Sequence, residues 1–235
     1  MSASRTARDR IREEVTREIL NVARRHLARD GAPALSLRSI ARDLEMAPSA
    51  LYRYFSGRDA LLSALILGAY ESLADGAERA SEAAYQREGA DAQRWLAVPR
   101  AMRAWALSHP HEWGLIFGSP VPDYVAPEST VVPYARLAAV LVRPLFEAHR
   151  SGRLRAGANE AAPSGQLDAA LAPVMDNLLP GVPTETVALA LQAWATLIGV
   201  ISLEIFGHWR NTVLEPEVFF DETMANLAPF IGLLG

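Results

Sequence analysis

Residues Leu35 to Leu62 read LSLRSIARDLEMAPSALYRYFSGRDALL. Leu37, Ile40, Ala41 and Leu44 recur with the spacing of one helix face, which predicts a helix over Leu37–Leu44 with Ser36 as its cap. A break at Glu45–Met46 precedes a second short helix, Ala47–Tyr54, whose first turn tolerates Pro48. Leu51 and Phe55 face inward one turn apart, and Ser56–Gly57 ends the pair. Two short helices joined by a tight turn can present the second one to the major groove of DNA.

A helix that enters the groove needs narrow, polar side chains near its tip and phosphate donors on its flanks. Pro48, Ser49 and Ala50 keep the tip slim, and Tyr52 and Tyr54 add hydroxyls. Arg38 begins the preceding helix and can serve a guanine edge or a phosphate. Arg58 begins the following one, beside free backbone N–H groups. Each of these residues alone would be ordinary surface, and their joint spacing carries the reading.

Upstream, Ile11, Val15, Ile19, Val22, Ala23 and Leu27 mark a helix over Arg8–Arg29 that Gly31 stops. Downstream, helices are predicted over Arg58–Tyr85, Ala92–Ser108, His111–Phe117, Thr130–Ser151, Gln166–Asp176, Thr184–Trp209 and Pro216–Ile231. Pro/Gly-rich breaks separate them at Gly118–Pro127, Gly152–Pro163 and Pro180–Pro183. No period-2 run long enough for a strand occurs, so the chain is all-α: a three-helix helix-turn-helix head and a helical body.

Charge divides the chain the same way. Residues 1–62 carry 12 arginines and 8 acids, and the remainder carries 11 and 19, within a net charge of −4. A basic head on an acidic body directs only the head to a polyanion. Arg5, Arg8 and Arg10 form an arginine-rich arm that could add phosphate contacts.

There is no cysteine, so disulfides, thiolate zinc sites and a cysteine nucleophile are excluded, consistent with a reducing cytoplasm. The five histidines, His26, His109, His111, His149 and His208, show no metal-ligand spacing, and no phosphate loop, G-x-S-x-G or H-E-x-x-H is present. An enzyme, a metal site and a cofactor are not expected. The N-terminal MSASRTARDRIREEV lacks the apolar core of a signal peptide. The longest apolar tract, Val187–Leu203, is broken by Gln192, Thr196 and Ser202, so a buried helix in a soluble protein is expected rather than a membrane span.

The segment resembles the DNA-binding head of the TetR family of transcriptional regulators. The matching residues are Ser36, Ile40–Ala41, Leu51–Tyr52 with Phe55, Arg58, and Asp59 to Leu62, with Ile19, Leu20, Ala23 and Gly31 upstream. The resemblance implies a DNA-binding head over residues 1–72, with its helix-turn-helix at 36–55, and a ligand-binding and dimerisation body over 73–235. Its implied DNA contacts are Ser36, Leu37, Arg38, Pro48, Ser49, Ala50, Tyr52, Arg53, Tyr54 and Arg58. Two positions depart from the family pattern. Glu45 replaces the turn glycine, which strains the backbone if φ is positive, and Ala47 replaces a Ser/Thr cap.

The resemblance further implies a homodimer formed through Thr184–Trp209 and Pro216–Ile231, a pseudo-palindromic operator and release by a small effector. Ala190, Ala193, Gly199 and Ser202 permit close helix approach at that interface. Trp194 and Gly199 resemble the Trp-His-Gly subgroup, with Ile198 at the histidine position. Met102, Trp105, Trp113, Phe117, Met175, Trp194 and Ile198 are the expected lining of an apolar effector pocket. The competing reading is a helical interaction protein that keeps the head only as a scaffold.

Overall fold

The structure, a computed structural model, describes residues 7–87, 89–155, 165–177 and 179–233. Every regular element among them is helical. Ten α-helices follow in order: α1 Ala7–Asp30, α2 Leu37–Asp43, α3 Pro48–Leu51, α4 Arg58–Tyr85, α5 Asp91–Ser108, α6 Pro110–Phe117, α7 Val131–Arg150, α8 Gly165–Asn177, α9 Thr184–Ile205 and α10 Pro216–Phe230. Arg5 lies outside the described residues, and the break expected at Gly152–Pro163 is described only as far as Arg155.

The chain forms two compact units, and α4 contributes to both, its residues through Ala69 to the first and those from Tyr70 to the second. The N-terminal unit is built as the apolar spacing requires. Ile19, Val22, Ala23 and Leu27 of α1 are buried, with Leu37, Ile40 and Ala41 of α2, then Leu51, Phe55, Leu61, Leu62 and Leu65. His111–Val131, a segment assigned to the body on sequence, groups with this unit. Trp113 of α6 is fully buried, Arg24 Nε of α1 donates to Glu112 Oε1 at 2.9 Å, and the hydroxyls of Ser63 and Tyr124 meet at 2.9 Å.

In the second unit, α5 is tied to its neighbours by arginine and indole side chains. Arg103 forks onto Glu204 of α9 at 2.8 and 2.6 Å, and Arg100 forks onto Asp221 of α10 at 2.9 and 3.0 Å. Such bidentate pairs fix direction as well as distance. Trp95 Nε1 donates to the Met224 carbonyl at 3.0 Å, and Trp105 Nε1 to Ser72 Oγ at 3.0 Å. Arg136 of α7 likewise grips Glu78 and Asp75 of α4. α4 and α9 are long and apolar enough to cross a membrane on length and composition alone. Leu73, Ala74 and Ala77 of α4 and Val187, Leu189, Ala193, Leu197 and Ile201 of α9 instead lie in the core of this unit.

Two helices end earlier than the apolar period predicts. α9 stops at Ile205 rather than Trp209, because Gly207 takes a left-handed φ of 80°. The N–H of His208 then bonds the Leu203 carbonyl at 2.8 Å and that of Gly207 the Glu204 carbonyl at 3.1 Å, which is the Schellman ending. α3 is regular only over Pro48–Leu51. Beyond it, Arg53 and Tyr54 make i→i+3 bonds to Ala50 and Leu51, so the chain continues as a tighter turn.

α2 closes by the same Schellman geometry, with the bond from Met46 N–H to the Ala41 carbonyl at 2.9 Å and from Glu45 N–H to the Arg42 carbonyl at 3.1 Å. Glu45 occupies the left-handed position with φ 54°, where a side chain is disfavoured. Glu45→Gly is therefore expected to raise the unfolding free energy by about 0.5–1 kcal/mol. Thermal and urea melts of the two proteins check this, and Glu45→Val should shift stability the opposite way.

Candidate functional site

The residues expected at the groove divide into an exposed set and a structural set. Arg38, Pro48, Ser49 and Arg53 are exposed and Tyr52 is 48% exposed. The side chains of Arg38, Ser49 and Tyr52 make no hydrogen bond or ion pair among the described residues, which leaves their donors and acceptors available to a ligand. Ala50 and Tyr54 are half-buried. Ala47 stands at the α3 N-cap without a side-chain bond, and Ser36 caps α2 by position only, its hydroxyl making no cap bond.

Two of the expected contacts are occupied otherwise. Leu37 is 5% exposed, so its side chain belongs to the core of the head. Arg58 is half-buried: Nη2 donates to the Ala32 carbonyl at 3.1 Å, Nη1 lies 3.6 Å from Asp59 Oδ1, and Nε is buried with no partner among the described residues. This guanidinium ties the start of α4 to the turn after α1, because the Ala32 carbonyl lies within its reach.

A residue without an expected role holds the motif in place. His26 of α1 is 3% exposed, and its Nε2 lies 2.7 Å from Asp43 Oδ2 at the end of α2. With Asp43 ionised, the ring N–H donates to the carboxylate. This bond, then the charges of His26, Arg42 and Arg29, holds the Asp43 carboxyl below the usual carboxylate range. The i, i+4 apolar period of α1 carries no mark of such a pair, since a histidine on that face reads as an ordinary interior residue.

The second unit contains an apolar cavity of about 150 Å³. Its walls include Trp95 of α5, Tyr134, Leu141 and Leu145 of α7, Val174 of α8 and Trp194 of α9. No charged side chain among the described residues lines it, and the Trp95 N–H is already spent on the Met224 carbonyl. The Tyr134 ring meets Trp194 edge-on at 6.2 Å and Tyr70 of α4 at 5.9 Å.

Of the seven residues expected to line a pocket, Trp194 alone is among the walls. Met102 is fully buried, Trp105 stacks on His109 at 4.8 Å, and Trp113 and Phe117 lie in the N-terminal unit. Met175 Sδ accepts from the Thr184 hydroxyl, and Ile198 is half-buried on α9. The available signal was the long apolar face of α7, where Tyr134, Ala138, Leu141 and Leu145 repeat at helical spacing.

The expected dimerisation helices carry an apolar surface. Leu203 of α9, Phe206, and Val218 and Phe219 of α10 are exposed, and a Cβ added at Gly199 would meet open space. Ala193 is in the core and Ala190 lines the cavity, so these two small residues serve the protomer itself.

A family model described as bacterial regulatory proteins, tetR family, matches residues 19–65, and one described as a tetracyclin repressor-like C-terminal domain matches residues 95–227. HTH-type transcriptional regulators of Mycobacterium tuberculosis and Mycobacterium bovis are 37% identical over 218 residues, covering 89% of this chain and 89% of theirs. The crystal structure of a candidate regulatory protein, SCO4313, superposes with a TM-score of 0.76 at 35% identity, covering 94% of this chain and 98% of that one. A protein of unknown function from Rhodococcus sp. RHA1 follows with a TM-score of 0.67 at 26% identity, covering 94% and 96%.

The His26–Asp43 pair yields a pH prediction. A depressed carboxyl pKa contributes stability that is present above the unfolded value of 3.8 and is lost as pH falls through the lower folded value. Thermal melts between pH 2 and pH 7 should therefore show Asp43→Asn below wild type at neutral pH, with the gap closing in acid below about pH 4. A constant gap across that range would show that the pair contributes nothing through ionisation.

Proposed function

The chain belongs to the TetR family of transcriptional regulators, and on that premise we propose that it is a cytoplasmic repressor that binds a pseudo-palindromic operator as a homodimer and lets go when an apolar small molecule enters the body. That it is a DNA-binding transcriptional regulator and not an enzyme follows from its family. The observation that carries the finer reading is the exposed, unpartnered set Arg38, Ser49 and Tyr52 around α3. Bidentate arginine on a guanine edge is the commonest base-specific contact in the major groove, and the tyrosine and serine hydroxyls suit either bases or phosphates.

Pairing through α9 and α10 is supported by Leu203, Phe206, Val218 and Phe219, which together leave an apolar face uncovered on one protomer. Two-fold symmetry is the usual outcome for such an interface, and two heads then read two half-sites.

The cavity supports an uncharged effector. A void of about 150 Å³ is near the size that accepts a benzene-sized molecule, and walls without charge would leave a carboxylate or an amine unpaired. A small ring compound fits this description better than a long acyl chain. Tyr134 stands both in the cavity wall and against Tyr70 of α4, one helix that begins in the head at Arg58, so a guest that shifts Tyr134 bears on that helix. Release requires the guest to bind one arrangement of the dimer more tightly than the other.

In a gel shift on the DNA flanking its own gene, wild type should bind as two protomers per site, and Arg38→Ala should weaken binding by about 1–3 kcal/mol and relax the sequence preference. Wild-type failure at low salt would favour the scaffold reading.

For the cavity, a screen of small aromatic and alicyclic compounds is expected to raise Tm, with about 2.7 kcal/mol of added stability at a hundredfold excess over Kd. Ala138→Phe should remove the shift by filling the space. A screen in which charged or long-chain compounds alone stabilise the protein would reject the neutral-ring assignment.

A further inference from the structure

Beside the recognition turn lies a groove lined by Arg8, Ile11 and Arg12 of α1 and by Met46, Ala50, Arg53 and Tyr54. Three of these side chains are arginines, none is acidic, and Arg8, Arg12 and Arg53 are all exposed. α1 begins at Ala7, so Arg8 and Arg12 stand one turn apart on the same helix face rather than on a free arm. Asp9 and Glu13 fall one position further round and do not line the groove.

Arg12 does two things there. Its guanidinium lies over the Tyr54 ring at 5.5 Å, and Nη2 donates to the Arg53 carbonyl at 3.4 Å. That bond uses one of its five N–H donors, so a charged fork is held in register with the turn that follows α3. Ile11, 60% exposed, and Met46 provide an apolar floor between the charges.

We propose that the first turns of α1 form a second wall of the DNA interface, in which Arg8 and Arg12 together with Arg53 hold backbone phosphates of the strand flanking the groove that α3 enters. The proposal rests on the DNA-binding reading and extends it to residues outside the helix-turn-helix. The chemistry fits one occupant: consecutive phosphates joined by deoxyribose match a row of guanidiniums over an apolar floor. Such contacts carry no sequence information, so they act on affinity and on its salt dependence.

The experiment is fluorescence anisotropy with two duplexes of equal length, one from the DNA flanking the gene and one shuffled, titrated across a salt series. Arg8→Gln and Arg12→Gln are each expected to lower the slope of log Kobs against log salt by about 1.8 on both duplexes, the value for one lost phosphate contact in each of two protomers. The ratio of affinities for the two duplexes should stay unchanged. Arg12→Lys should keep the slope, because it keeps the charge. Melting curves of each variant check folding, and both side chains are exposed, so Tm should hold. Unchanged slopes in variants that fold, while wild type binds with a salt-dependent affinity, overturn this proposal alone. A wild type that binds neither duplex overturns it together with the DNA-binding reading.

Discussion

Met46 N–H reaches back to the Ala41 carbonyl at 2.9 Å, and this bond is made with Glu45 in a left-handed backbone. On that one turn depends the direction in which α3 leaves α2, and with it the placing of Pro48, Ser49 and Tyr52. A residue with a Cβ is an uphill choice for the position. It is held from the far side of α2 by His26, whose bond to Asp43 anchors the last residue of that helix to α1. The strained turn thus directly follows a part-buried pair, in which His26 is in the core and Asp43 is exposed.

Arginine serves two different ends in this molecule. In the body it locks helices together, with Arg103 on Glu204, Arg100 on Asp221 and Arg136 on Glu78. In the head, Arg58 is half-buried on a carbonyl, while Arg38, Arg53, Arg8 and Arg12 stay at the surface. The excess of positive charge in residues 1–62 therefore lies largely at the surface of the head. The acidic excess elsewhere is partly absorbed by these interhelical forks.

Much of the head was legible in the residues. The period that put Ile40, Ala41, Leu51 and Phe55 inside is obeyed, and Glu45 was marked because the family resemblance places a glycine at that turn, whose φ is 54°. The bond of Arg58 to Ala32 was not legible for a physical reason: its acceptor is a backbone carbonyl, which leaves no signature in the identity of Ala32. Most of the cavity walls were not legible because large residues fill a core, as Trp113 and Met102 do, whereas a void is made by what small residues leave out. Ala138 and Ala190 create the space, and an alanine on an apolar face attracts no notice. α9 was drawn too long because Phe206 and Trp209 continued the apolar period past Gly207, whose backbone freedom decided the ending.

The placing of the indoles has an optical consequence. Trp95 and Trp194 line the cavity, whereas Trp113 is buried in the other unit. A guest that enters the cavity replaces empty space against two of the five indoles and leaves Trp113 in its own surroundings. The emission spectrum of the unlabelled protein thus carries a sensor and an internal reference together. Occupancy can be followed in real time without a dye, in the same cuvette in which the heads meet their DNA.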